Sequence, residues 1–186
     1  IDLYTLSAHK IHGPKGVGAL AVKKSVRLLA QHVGGGQEEQ LRSGTENTPG
    51  IAGLLQAVRE MDPTGMMEKK LYMLAAFQRA VPGALVNGPA PERGAPHILN
   101  MSFPGVRGET LLHALEAEGV YASTGSACSS KKRKVSPVLA AMGLSPDRAE
   151  CALRFSLSPH TDAGQIDEAA AALARVYPKL VRFQRR

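Results

Sequence analysis

Ser7-Ala8-His9-Lys10 closes an apolar run and leads into the glycine-bearing turn Ile11-His12-Gly13-Pro14-Lys15-Gly16. A lysine withdrawn from water at a strand end gives up its proton more readily, and the free amine condenses with an aldehyde to a Schiff base. The tetrapeptide by itself fits an ordinary surface lysine equally well. A second reactive candidate is Cys128, in the run Ser123-Thr124-Gly125-Ser126-Ala127-Cys128-Ser129-Ser130, which is followed by Lys131-Lys132-Arg133-Lys134. Nothing large and apolar stands near it in sequence to bury the thiol, and the adjacent cations favour the thiolate, the nucleophilic form. An idle cysteine and a metal ligand are the other readings. Cys151 is too distant for a paired CxxC site, and no histidine stands at ligand spacing. Arg154 is the third candidate, with a planar fork suited to a bidentate grip on a carboxylate or to a salt bridge on a polar sheet face.

The elements that must position these groups follow from periodicity. Ile1, Leu3, Tyr4 and Leu6 read as a short buried strand ending at Lys10, and residues 17–22 read as the next one. Asn47-Thr48-Pro49 caps and opens a helix with Ile51, Leu54, Leu55 and Val58 on one face, ending at Asp62-Pro63, where the domain boundary belongs. A helix through Leu71, Leu74 and Phe77 follows, then short strands at 84–87 and 98–103, divided by the loop Gly88-Pro89-Ala90-Pro91. Leu111, Leu112 and Leu115 form the stripe of a helix closed by Gly119, after which 120–122 reads as a brief strand running into the cysteine segment. Ser136-Pro137 and Ser145-Pro146 each pair a cap residue with proline at the first helical position. Across 152–158, Leu153, Phe155 and Leu157 point one way while Arg154, Ser156 and Ser158 point the other. Ile166, Ala169, Ala170, Leu173, Tyr177 and Leu180 mark a final structural helix over 162–181. Alternating strands and helices indicate an α/β chain.

The chain has 186 residues with 44% hydrophobic content, enough for one or two packed domains and too apolar for disorder. Its two cysteines give no disulfide framework, and no apolar run reaches membrane-spanning length, so the cytoplasm is the expected compartment. The net charge of +7 invites a nucleic-acid reading. Scattered basic residues, 4% aromatic content and the lack of a nucleic-acid fold signature favour a solvated basic face instead.

Gly34-Gly35-Gly36-Gln37-Glu38 and Arg42-Ser43-Gly44-Thr45-Glu46-Asn47, taken with the lysine and cysteine segments and Leu153-Arg154-Phe155-Ser156, carry a specific resemblance. In this order and at about this spacing the motifs resemble those of NifS-like cysteine desulfurases, in the class V aminotransferase group. The resemblance spans the chain nearly from end to end and implies a pyridoxal-phosphate transferase of aminotransferase fold type I. Residues 1–63 are then expected to be a remnant of the large cofactor-binding domain, and 64–186 the smaller carboxy-terminal α/β domain. The family's large domain begins well upstream of its lysine strand, so the sequence reads as a carboxy-terminal piece that is inactive alone.

By the same resemblance Lys10 carries pyridoxal 5'-phosphate and Cys128 is the sulfur-accepting nucleophile. Ser7 and His9 bind the cofactor phosphate, Thr45 reaches the phosphate of a neighbouring subunit and so implies a homodimer, and Arg154 holds the substrate α-carboxylate. Arg42 adds charge nearby. The reaction implied converts L-cysteine to L-alanine, leaves a persulfide on Cys128 and delivers its sulfur to an acceptor protein for iron-sulfur, thio-cofactor or transfer-RNA chemistry. His12, where tyrosine is frequent, and Leu157-Ser158-Pro159-His160-Thr161, in place of a glycine-containing turn, depart from the commoner pattern. Two alternatives are a related lyase or aminotransferase such as a selenocysteine lyase, and a non-catalytic sulfur-carrier module. No metal site, membrane contact or direct nucleic-acid contact is expected.

Overall fold

In the computed structural model, which describes residues 1–125 and 136–184, the chain divides into two units, Ile1–Asp62 and Pro63–Arg186. The first opens on an antiparallel hairpin of β1 (Leu3–Ser7) and β2 (Gly18–Val22), in register from Leu3 opposite Val22 to Ser7 opposite Gly18. Between the strands a turn of 3-10 helix, Ala8–Ile11, carries His9 and Lys10. The apolar residues of the hairpin do not make the buried strand expected: Leu3, Tyr4, Leu20 and Val22 are exposed. The reason is topological. β1 and β2 pair only with each other, and a two-stranded ribbon has no interior of its own.

Helix α1 (Thr48–Glu60) starts where capping chemistry dictates, with Asn47 Oδ1 accepting from Gly50 N at 3.1 Å and proline in the first turn. Its buried face is Gly50, Leu54 and Ala57. Of the stripe expected from the sequence only Leu54 is buried, while Ile51, Leu55 and Val58 are exposed. Small residues took the inner face because the lysine turn lies directly on it: a Cβ added at Gly53 would meet Pro14 at 3.0 Å.

The second unit holds a three-stranded antiparallel sheet in the order β3 (Leu85–Val86), β4 (Ile98–Ser102), β5 (Ala152–Ser156). Helices α2 (Met66–Ala80), α3 (Gly108–Ala117) and α6 (Ala163–Gln184) complete the core, α6 packing on both α2 and α3. Leu99 and Met101 of β4 and Leu153 and Phe155 of β5 join Phe77, Phe103, Leu111, Leu115 and Leu173 in one buried cluster. Phe155 meets Phe77 edge-on, with ring centroids 4.7 Å apart. The alternation expected along 152–158 therefore holds, with Leu153, Phe155 and Leu157 inside.

Two short helices, α4 (Pro137–Ala141) and α5 (Pro146–Glu150), start at the two Ser-Pro steps, and Ser145 Oγ accepts from Arg148 N. The brief strand expected at 120–122 does not form. A single antiparallel bridge, Ser123 opposite Arg154, stands in its place. Among the described residues no helix is long and apolar enough to cross a membrane, and no group of three or more His, Cys, Asp or Glu is arranged to hold a metal.

Candidate functional site

The lysine turn is fixed from beneath. Ala8 is fully buried, its amide donates to Val17 O at 3.1 Å, and its carbonyl accepts from Gly13 N at 2.9 Å. His12 closes the turn in the left-handed region at φ 67°. A Cβ at Gly13 would lie 3.0 Å from Ala8 Cβ, 3.1 Å from Ala8 O and 3.2 Å from Ala57 Cβ, so any side chain here would force its neighbours to shift as the chain returns. Ser7 ends β1 half-buried, and His9 and Lys10 follow on the exposed side of the turn. Lys10 is thus solvent-exposed in this chain, where a half-buried setting was expected.

The chemistry of this donor set fits a phosphorylated aldehyde. A hydroxyl at Ser7 and an imidazole at His9 suit a phosphate dianion, and a primary amine at Lys10, one residue on, suits the carbonyl. Thr45 stands apart, exposed in the segment entering α1, next to Gly44 at φ 110°. The stretch before it is tied internally: Ser43 N donates to His32 O at 3.1 Å, Gly44 N to Gln37 Oε1 at 3.2 Å, and Arg42 Nη1 to Ser43 O. Arg42 therefore bonds to its own loop. Glu38, Glu39 and Gln40 have φ of 49°, 56° and 66°, a run of left-handed non-glycine residues that marks local strain.

In the second unit Arg154 leaves β5 on the side away from the core and is only partly covered, yet its Nε is buried without a hydrogen-bond partner among the described residues. A buried guanidinium N–H left unpaired is costly, and an anion is the natural complement. On one flank Ser123 brackets it through both backbone amides, Arg154 N to Ser123 O at 2.7 Å and Ser123 N to Arg154 O at 3.1 Å. Ser123 Oγ also bonds Gly125 O at 2.7 Å, shaping the start of the cysteine segment. Cys128 itself, with Lys131 to Lys134, lies outside the described residues.

Sequence reasoning missed the polar cluster on the other flank. Asn100 stands directly opposite Arg154 in the β4–β5 ladder, and Asn87 N donates to Asn100 O at 2.9 Å one strand further on. Asn87 Nδ2 bonds Asn100 Oδ1 at 2.7 Å and Ser102 Oγ at 2.8 Å, Ser102 Oγ bonds Arg148 O at 2.7 Å, and Arg148 Nε bonds Asn87 Oδ1 at 2.8 Å. The signal available was the alternation of Asn100 and Ser102 with buried Leu99 and Met101. Cys151, buried below α5, donates to Arg148 O at 3.3 Å, and burial pushes its thiol above the ordinary value.

Comparison with known proteins places the chain in a family. The family model for class-V aminotransferases matches residues 1–168. A cysteine desulfurase IscS of Clostridium botulinum is 41% identical, aligned over 100% of this chain and 47% of its own length. A cysteine desulfurase of Sinorhizobium fredii is 40% identical over 97% of this chain and 48% of its own length. Among solved structures, a NifS-like protein superposes with a TM-score of 0.82 at 33% identity, covering 97% of this chain and 47% of its own. The chain thus spans about half the length of the curated relatives it matches.

Proposed function

The chain belongs to the class-V aminotransferase family, and from that membership we propose that it is part of a cytoplasmic, homodimeric, pyridoxal-phosphate-dependent cysteine desulfurase. The observation that carries the reading is the unpartnered buried Nε of Arg154 beside the start of the Cys128 segment. An amino-acid carboxylate satisfies the first, and a nucleophilic thiol on a short tether serves the second. Cys128 is five positions beyond Ser123, and an extended tether of that length reaches at most about 18 Å.

Residues 1–63 are then the part of the large domain that carries Lys10, and 64–186 the small domain. Ser7 and His9 hold the cofactor phosphate, with Thr45 serving the site of the neighbouring subunit. When bound, the cofactor supplies an electron sink for the substrate carbons. The other roles belong to the chain. Arg154 binds the carboxylate of L-cysteine and so orients its side chain. Lys10 Nζ anchors the cofactor and, as a free amine, carries protons at the substrate Cα. The Cys128 thiolate attacks the substrate sulfur, so that an S–S bond forms as the Cβ–S bond breaks; the carbon keeps the electron pair, takes up a proton and leaves as L-alanine. The persulfide on Cys128 then passes its outer sulfur to an acceptor protein, and the charge of the basic run that follows Cys128 in sequence favours an acidic one.

The test is borohydride reduction of the protein with pyridoxal phosphate, followed by peptide mapping. A pyridoxyl adduct on the peptide containing Lys10, in full-length protein that releases alanine from L-cysteine, is the expected result. Full-length folded protein that is labelled elsewhere, or not at all, would sink the assignment.

A further inference from the structure

We propose that Asn100 is a second donor to the substrate carboxylate gripped by Arg154, its amide turned into place by Arg148 acting through Asn87. This deepens the desulfurase reading and rests on it. The argument begins at Arg148, whose guanidinium can only donate. Its Nε donates to Asn87 Oδ1 at 2.8 Å and its Nη2 to Val86 O at 2.6 Å, so the oxygen of the Asn87 amide faces Arg148 and the nitrogen faces the other way. That nitrogen donates to Asn100 Oδ1 at 2.7 Å and to Ser102 Oγ at 2.8 Å. Ser102, fully buried, donates its hydroxyl hydrogen bond to Arg148 O at 2.7 Å and closes the circuit. Every amide orientation here follows from the one group that cannot accept.

With Oδ1 of Asn100 committed to Asn87, its Nδ2 is turned away from β3 towards the flank of β5. Arg154 is its directly opposed neighbour there, and such pairs have Cβ atoms roughly 4.5–5.5 Å apart. The row Asn87, Asn100, Arg154, Ser123 therefore crosses the polar side of the sheet, linked by Asn87 N to Asn100 O, the β4–β5 register and the Ser123 bridge. At its centre stand two donor groups, the Asn100 amide and the buried, unpartnered Arg154 Nε. Two donors side by side call for one acceptor with two oxygens. A carboxylate has that form, and a neutral amide beside the arginine fixes its orientation without adding a charge that would hold product too tightly.

The experiment compares Asn100→Ala and Asn100→Asp in the full-length protein. L-cysteine is the substrate, and cysteamine, which has the thiol and amine but no carboxylate, is the binding probe. Loss of one hydrogen bond to a charged group predicts a KM for L-cysteine about tenfold higher in N100A, with kcat changed by less than about twofold. N100D keeps an oxygen towards Asn87 and sets a second one against Arg154, so its KM should rise about a hundredfold. Cysteamine affinity should match wild type in both, which also certifies that they are folded. Folded variants with an unchanged KM for L-cysteine overturn the proposal alone, as do variants that lose cysteamine and L-cysteine equally. Wild-type protein with no desulfurase activity overturns both this inference and the reading beneath it.

Discussion

Ser123 and Arg154 are locked by a reciprocal pair of backbone hydrogen bonds, 2.7 Å and 3.1 Å long, so the segment leading to Cys128 departs from the residue that faces the polar side of β5. Further along the chain α5 is tied to the sheet, Arg148 bonding Val86 and Asn87.

Arg154→Lys tests the role of the fork. Lysine keeps the charge but cannot offer paired donors, and at a bidentate site the exchange is not conservative. In the full-length protein the KM for L-cysteine should rise by about 10- to 100-fold, the range expected for losing a charge-assisted hydrogen bond. Steady-state kinetics decide it, and an unaltered KM would return Arg154 to a structural role.

Cys128→Ser separates sulfur transfer from cofactor attachment. The hydroxyl is a poor nucleophile towards sulfur, so alanine release and persulfide formation should both fall by more than about a hundredfold. Borohydride labelling of Lys10 should be unaffected. If alanine and sulfide still appear at the wild-type rate, a lyase that does not use the thiol becomes the better description.

Gly13→Ala probes the turn that presents Lys10. The added methyl would meet Ala8 Cβ at 3.0 Å, Ala8 O at 3.1 Å and Ala57 Cβ at 3.2 Å, and two of those contacts belong to a fully buried residue with little room to shift. Overpacking of this kind costs about 1–3 kcal/mol. Denaturant unfolding of the full-length protein should report the loss, together with a lower yield of the Lys10 adduct. Wild-type values for both would mean the turn moves freely on α1.

Much of this architecture was legible in the sequence because its signals are local. Asn47-Thr48-Pro49, Ser145-Pro146 and the alternation of Leu153, Arg154 and Phe155 each specify geometry within a few residues, and each is found as read. Burial in the first unit was not legible. Leu3, Ile51 and Leu55 have the pattern of core residues but are exposed here, because periodicity announces an apolar face without saying which segment covers it. The Asn87, Asn100, Ser102 and Arg148 circuit escaped for a different reason. It is assembled by strand register and by a contact 61 residues apart in sequence, between Asn87 and Arg148, and no local window contains that.

Cys151 gives the chain a pH dependence of predictable sign. Burial raises its thiol pKa above the ordinary 9.0, and the smaller opposing effects come from the nearby polar groups of Ser102 and the backbone and from the charge of Arg148. Between 9.0 and the native value the unfolded chain has lost this proton while the folded chain keeps it. The folded state then binds more protons, so stability falls as pH rises through that window. Lys70 works the other way. Burial lowers its pKa from 10.5, against the charge of Glu92, although Nζ donates to Pro91 O at 2.8 Å and Ala95 O at 2.9 Å. Below 10.5, down to its native value, the unfolded chain holds the extra proton and stability climbs with pH. The two slopes oppose each other in wild type, so each must be read by difference. Subtracting the unfolding free energy of Cys151→Ala from that of wild type, from about pH 8 upward, should give a difference that declines with a slope of at most about 1.4 kcal/mol per pH unit. The same subtraction with Lys70→Met should give a rising difference. A flat line for Cys151 would mean that its thiol titrates alike in both states, and the polar circuit around Arg148 would then be open to water.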